Sequence, residues 1–259
     1  HWEQDNLTSA CWALLTYYRA RQDAVAVDAD GSEDRESGHA RLDDGDLLAR
    51  ADDILADIYH GFGEKGRVPR KRSGHLDWTF RGPKDDRQFC CRLNRHGHLA
   101  WLLDAFQATG DAKYARRIDQ DLRDWLTASG GSANPKGFGP GRLEAALRMP
   151  VWCRVFFALG REKALRPATR LLLLASLPAH ARYLRESLKP RHNFATMQMS
   201  GLGAIGLRFP EFKKAPAWTA FAMAQMTAEI DDQVYPDGVQ KELTSTYHWV
   251  ALRHFDALA

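Results

Sequence analysis

An all-α fold of antiparallel helical hairpins is the architecture this chain predicts. Apolar residues recur near a 3.6-residue period through most of the sequence, short turns separate the periodic segments, and 259 residues with 44% hydrophobic content can bury a substantial core. Such hairpins can curl into an α/α toroid whose inner helix ends surround a concave surface, and periodicity alone also permits a different bundle. One domain over residues 1–259 is the simplest division.

The elements follow in order. Asn6-Leu7-Thr8 opens a helix in which Ala10, Cys11, Trp12, Leu14, Leu15 and Tyr18 supply one apolar face. The polar stretch from Asp28 to Gly38 reads as a solvated loop. A second helix is expected over Leu47 to Tyr59, ended by Gly61 and Gly63. Lys65 to Gln88, rich in Gly, Arg, Lys, Pro and Asp, reads as a long ordered loop, either a functional rim or a structural connection. Paired helices then run from Arg95 to Ala108 and from Ala112 to Thr127 around the turn Thr109-Gly110-Asp111. Further helices are expected over Arg142 to Ala158, Glu162 to Leu188 with interruptions near Pro167 or Pro178, Phe194 to Gly206, Ala215 to Gln233, and Lys241 to the end. Gly201, Gly203 and Gly206 mark a surface for close helix packing.

Bulk properties narrow the partners. Lys+Arg of 36 against Asp+Glu of 33 leaves a net charge of only +3, so any attraction for polyanions must come from local arrangement. The basic residues are interrupted by acids and no standard recognition element emerges, which argues against nucleic acid. The apolar run from Leu171 to Leu177 is far short of a membrane span. Cys11, Cys90, Cys91 and Cys153 lack metal-ligand spacing and read as free thiols, with one disulfide possible. His1 is consistent with a removed leader and equally with a fragment.

Two polar signals stand in apolar, helical surroundings: Arg191-His192-Asn193 and Thr246-Tyr247-His248. Together they can neutralise a carboxylate and move a proton in an acidic sugar. Cleavage by β-elimination beside a uronate needs such groups, because the C5 proton is weakly acidic until the carboxylate charge is offset and the departing O4 must gain a proton. Neither a metal nor a redox cofactor is required by this chemistry, and a structural metal is left open.

The ordered signature is Arg191-His192-Asn193-Phe194-Ala195-Thr196-Met197, then Phe209-Pro210-Glu211-Phe212 and Trp218, then Gln233 through Glu242 with its Tyr235-Pro236-Asp237-Gly238 turn, then Ser245-Thr246-Tyr247-His248. Asp77-Trp78, Leu93-Asn94-Arg95-His96, Tyr114, Trp125 and Arg142-Leu143-Glu144-Ala145 precede it. In order and spacing this resembles the helical domain of the heparinase II/III-like polysaccharide lyases, and the resemblance covers nearly all of the chain. It implies an incomplete α/α toroid. In that family the toroid precedes a β-sandwich, a cleft between the two binds an acidic polysaccharide, and a further catalytic histidine comes from the β-rich part, which is absent here. It also implies a periplasmic or secreted location.

On that resemblance Asn193 donates to the uronate carboxylate, with helix capping as the other reading. Tyr247 delivers a proton to the leaving oxygen and, for some stereochemistries, first removes the C5 proton; a partly buried structural tyrosine is the alternative. His192 neutralises, acts as base, contacts substrate or simply packs. Asn94, Arg95 and His96 resemble a cleft-lining helix start, where Arg95 would pair with uronate or sulfate, His96 with a hydroxyl, and capping by Asn94 is the rival. Trp78 stacks on a sugar or anchors its loop. His248 is a secondary substrate-binding candidate. Glu242 orients Tyr247 or caps its helix, and Arg142, Glu144 and Arg148 suit an internal ion-pair network.

Two rivals remain. An α/α glycoside hydrolase needs two placed carboxylates, and Glu144, Glu211, Asp237 and Glu242 do not form a convincing pair by position. A noncatalytic module that binds acidic polysaccharide fits the absence of a distal domain.

Overall fold

The computed structural model describes residues 6–21, 43–135, 138, 141–256 and 258. The loop expected at 28–38 lies outside them. Among the described residues the chain forms ten helices and one short hairpin: α1 (Leu7–Arg21), α2 (Asp44–Leu55), β1 (Ile58–His60), β2 (Lys65–Arg67), α3 (Arg87–Arg95), α4 (Gly97–Thr109), α5 (Ala112–Ala128), α6 (Arg142–Ala158), α7 (Pro167–Glu186), α8 (Asn193–Arg208), α9 (Ala215–Gln233) and α10 (Ser245–Asp256). The all-α reading therefore stands. Among the described residues no helix is long and apolar enough to cross a membrane, and all four cysteines are free thiols.

Several boundaries differ from expectation: the second helix begins at Asp44 and the last at Ser245, and three further differences have a local reason. The second helix stops before Ile58 because Asp57 takes a left-handed backbone (φ 59°), after which Ile58 to His60 pair antiparallel with Lys65 to Arg67. Tyr59 is thereby turned inward, where its hydroxyl meets Asp121 Oδ2 at 2.9 Å. The helix expected over Arg95 to Ala108 is α4, which begins at Gly97, and a further helix, α3, precedes it; His96, left-handed (φ 64°), ends one as it begins the other. The helix expected from Glu162 begins at Pro167, whose missing N–H is harmless in a first turn. Pro178 lies inside α7 without ending it.

The start of α7 is fixed by a buried carboxylate. Asp119 Oδ1 accepts from the Arg166 amide at 2.9 Å and the Thr169 hydroxyl at 2.6 Å, while Oδ2 takes the Arg166 guanidinium. A second carboxylate, Asp124 on α5, ties down the expected long loop by accepting from Leu76 N and Trp78 Nε1 and bonding His75 Nδ1.

A polar column runs through the aromatic core. Arg148 is 1% exposed, lies over the Trp125 ring, and donates to Asn94 O at 3.0 Å, to His180 Nε2 at 3.2 Å and to Ala133 O. The His180 Nδ1–H then faces Ser176 O at 3.0 Å, so the ring is satisfied only when neutral. Burial pushes His180 down to about 3 and holds His96 well below the ordinary histidine range.

These depressed imidazoles make stability depend on pH. The unfolded chain binds protons below about pH 6.5 that the folded chain refuses, so stability is full above that value and falls as the pH drops toward 3. Denaturant titrations at successive pH values should show His180→Gln flattening the acid-side slope by up to about 1.4 kcal/mol per pH unit. An unchanged slope would contradict the neutral, buried assignment.

Candidate functional site

The polar residues around the starts of α8 and α10 are bound into one unit by α9. Arg191, two residues before α8, has a left-handed backbone (φ 60°), a costly conformation for a non-glycine residue. Buried Glu229 on α9 holds it there, with Oε1 accepting from the Arg191 amide at 2.9 Å and Oε2 accepting from Gln233 Nε2 at 2.5 Å. Gln233 Nε2 also donates to His192 O at 3.1 Å, and Gln233 O accepts from Lys241 N at 2.8 Å. The chain returns through a tight turn, where the Gly238 amide bonds Tyr235 O and the Tyr235 amide bonds Val239 O. Buried Gln240 then donates its amide to His248 Nδ1 at 3.4 Å. Hydrogen bonds thus run from His192 through Gln233 toward His248.

A small apolar cluster sets the two helix starts side by side. Leu147, Met197 and Val250 are buried together, with Leu143 and Phe194 packed against them. Met197 lies one turn after Asn193, and Val250 lies one turn after Tyr247, so the contact places both residues at the same end of the α8/α10 pair. Tyr247 is 43% exposed, leaving its phenol reachable. Asn193 is half-buried, and its Oδ1 has no hydrogen-bond partner among the described residues. Half a turn of that amide exchanges its oxygen for NH₂, so the group can either accept from a hydroxyl or donate to a carboxylate. His192 caps α8, its Nδ1 accepting from Phe194 N at 3.2 Å, and its ring packs on Phe194. Capping of α8 therefore falls to His192 and leaves the Asn193 amide unused. Capping of α10 falls to Thr244, whose Oγ1 accepts from Tyr247 N at 3.2 Å; Glu242 is exposed and does not do this.

The other sequence candidates sit elsewhere. Trp78 is 0% exposed and its Nε1 is bound to Asp124, so it anchors the loop and offers no face to a sugar. Asn94, also 0% exposed, donates through Nδ2 to Trp78 O and Cys90 O and accepts from Trp125 Nε1 at 2.9 Å, so it joins α3, the loop and α5 internally. His96 is 1% exposed and its Nδ1 accepts from Trp152 Nε1 at 2.8 Å, which removes it from any surface role. Their chemistry suited a cleft, but the aromatic core claims all three. Arg95 is held between Glu144 Oε1, at 3.6 Å, and the Phe62 ring, with 13% of its side chain exposed. Glu144 is buried and its Oε2 accepts from Gly141 N, but its ion-pair partner is Arg95; Arg148 is wholly internal and bonds His180 and backbone carbonyls, so among the described residues the expected ion-pair network of Arg142, Glu144 and Arg148 does not form.

Sequence reasoning missed Glu229, Thr244 and the part played by Gln233 and Gln240. The available signal was Glu229 and Gln233, four residues apart on a helix whose inward face is otherwise mostly apolar. Among the described residues no group of three His, Cys, Asp or Glu is placed to hold a metal ion.

The family profile described as Heparinase II/III N-terminus matches residues 1–259. The chain belongs to that family. Among curated proteins it is similar to the heparin-sulfate lyase of Pedobacter heparinus, 28% identical over 96% of this chain and 38% of the relative, and to that of Bacteroides stercoris, 27% identical over 95% and 38%. Among solved structures it is similar to the heparan sulfate lyase HepC from Pedobacter heparinus, with a TM-score of 0.78 and 26% identity over 96% of this chain and 39% of that one. A heparinase III structure agrees in fold, with a TM-score of 0.79 at 20% identity. The chain spans about two fifths of the length of these relatives, 38% to 39%.

The α9 clamp has a direct test. Replacing Glu229 with Ala should accelerate hydrogen exchange at the Arg191 amide by about tenfold or more, since that N–H loses its charged acceptor. Exchange unchanged from the parent chain would show that the turn is held by other contacts.

Proposed function

We propose that this chain supplies the helical part of a polysaccharide lyase that cleaves a uronate-containing acidic polysaccharide by β-elimination. The observation that supports the reading is the packing of α8 with α10 through Leu147, Met197 and Val250, one turn beyond the unengaged amide of Asn193 and the exposed Tyr247. In this reading the Asn193 NH₂ donates to the uronate carboxylate and lowers the cost of charge developing at C5. Tyr247 as phenolate takes the C5 proton, the C5–H electrons form the C4=C5 double bond, and the C4–O4 bond breaks. The resulting phenol returns its proton to O4, so protons and charge balance. His192, whose ring borders Asn193 in sequence, and His248, tied to Gln240, contact the sugar on either side.

Heparan sulfate is the favoured substrate class, because the names of the relatives specify it; a periplasmic or secreted setting belongs to the same proposal. A distal region corresponding to the rest of the relatives' length supplies the opposite wall of the cleft and a further histidine. Buried Trp78, Asn94 and His96 take no part.

A panel of acidic polysaccharides, followed by the ultraviolet absorbance of unsaturated uronate ends, tests the proposal on this chain and on a form extended by the distal region. The extended form should generate double bonds, this chain alone few or none, and Tyr247→Phe in the extended form should lose about a hundredfold or more in kcat. Tight binding by the extended form without new double bonds would favour a noncatalytic binding module, and strong turnover by the 259-residue chain would overturn the requirement for a distal partner.

A further inference from the structure

A concave feature lies between α7 and α9, a pocket of about 490 Å³. Its α7 wall carries Arg182, Arg185 and Glu186, and its α9 wall carries Lys214, Trp218 and Phe221. Three cations face one carboxylate there, a local imbalance that a net charge of +3 over 259 residues does not foretell. Arg182, Arg185 and Lys214 are exposed, and among the described residues none of the three forms an ion pair. Arg185 instead lays its guanidinium over the Phe221 ring, 4.8 Å from the centroid, which fixes the plane of the group while its N–H edges stay open.

The start of α9 adds to this field. Lys214 is its N-cap residue, no side chain caps the terminus, and no acidic residue occupies the first turn. The helix therefore presents an uncompensated positive end beside the three side chains. Trp218, one turn further on, is almost wholly buried and supplies a rigid floor.

We propose that this pocket is a second binding site for an anionic saccharide, gripping a sulfate ester or carboxylate between Arg182, Arg185 and Lys214. Arg185 is pre-oriented by Phe221 for paired N–H donation to an oxyanion, while Arg182 and Lys214 supply charge from the two walls. Glu186 accepts from a sugar hydroxyl and disfavours a ligand packed with negative charge on every side. The pocket is separate from the α8/α10 site. Phe221 and Gln233 stand twelve residues apart on α9, which is roughly 18 Å of helical rise, and it is Gln233 that bonds His192. A polysaccharide bound at both places would be held by two attachments, so the second engagement becomes intramolecular. The choice of a saccharide as ligand rests on the polysaccharide reading above, whereas elimination at Tyr247 is not required.

The test uses the 259-residue chain and isothermal titration with three probes: a heparan sulfate octasaccharide, the same octasaccharide desulfated, and inorganic sulfate. The parent should bind the sulfated octasaccharide, and Arg182→Ala/Arg185→Ala/Lys214→Ala should weaken that binding tenfold or more and flatten its dependence on salt. All three residues are exposed, and an unchanged thermal midpoint confirms that folding is intact. Retained binding of the desulfated probe assigns the grip to carboxylate, whereas its loss together with binding of inorganic sulfate assigns it to sulfate esters; both support the site. In an Asn193→Ala background the triple substitution should still weaken binding tenfold or more, which separates failure at the α8/α10 site from failure here. No binding by the parent, or a triple variant within twofold of it, overturns the proposal.

Discussion

The close burial of α8 against its neighbours is the constraint from which the site geometry follows. A side chain at Gly201 would put its Cβ 2.6 Å from Ala146 O, so α8 meets α6 at a separation that only glycine allows, and one at Gly206 would lie 3.1 Å from Ala215 O, a close approach to α9. Along the same helix Gln198 reaches Ser187 beyond the end of α7, and Met197 meets Val250 of α10. Once α8 is fixed on these sides, the position of Asn193 at its first residue is fixed too. Few degrees of freedom remain for Tyr247, because Val250 is seated in the same apolar cluster.

Polar groups inside this core serve the frame more than the chemistry. The column formed by Arg148, Asn94, His180 and the tryptophans holds α3, α5, α6 and α7 together, and each member depends on its neighbours for hydrogen bonds it cannot obtain from water. The polar groups of the proposed α8/α10 site lie at helix starts and the turns before them. Two such turns carry left-handed non-glycine residues, Arg191 before α8 and Leu243 before α10, and the first is secured by a buried carboxylate on a third helix. Strain of this kind persists where surrounding contacts over-determine the backbone.

The limits of reading the sequence follow from the same division. Helices α5, α6 and α9 were legible nearly to the residue, because their apolar periodicity coincides with capping and turn signals at both ends. The break at His96 was not, since a left-handed histidine carries no local signature and is stabilised by Trp152, distant in the chain. Trp78, Asn94 and His96 were drawn into the candidate site by residue type alone. Their burial depends on Asp124, Trp125 and Trp152, partners that adjacent sequence does not reveal. Asn193 and Tyr247 were singled out by an ordered set of motifs, whereas the apolar cluster of Leu147, Met197 and Val250 that joins their helices is not legible from motif order. Glu229 escaped notice because its partner is a backbone amide, to which no motif points.

For function, the consequence is a division of labour between a rigid helical wall and groups presented along its edge. Membership of the heparinase II/III N-terminal family accounts for the wall, and the paired amide and phenol give the edge its proposed chemistry. The central claim is that these two groups meet one ligand. Nuclear magnetic resonance with selectively labelled asparagine and tyrosine tests it most directly, by following the Asn193 side-chain amide and the Tyr247 ring as a uronate-containing oligosaccharide is added. The account predicts that both signals shift along a single saturation curve. A shift of one with the other unmoved, or two curves with different midpoints, would contradict it.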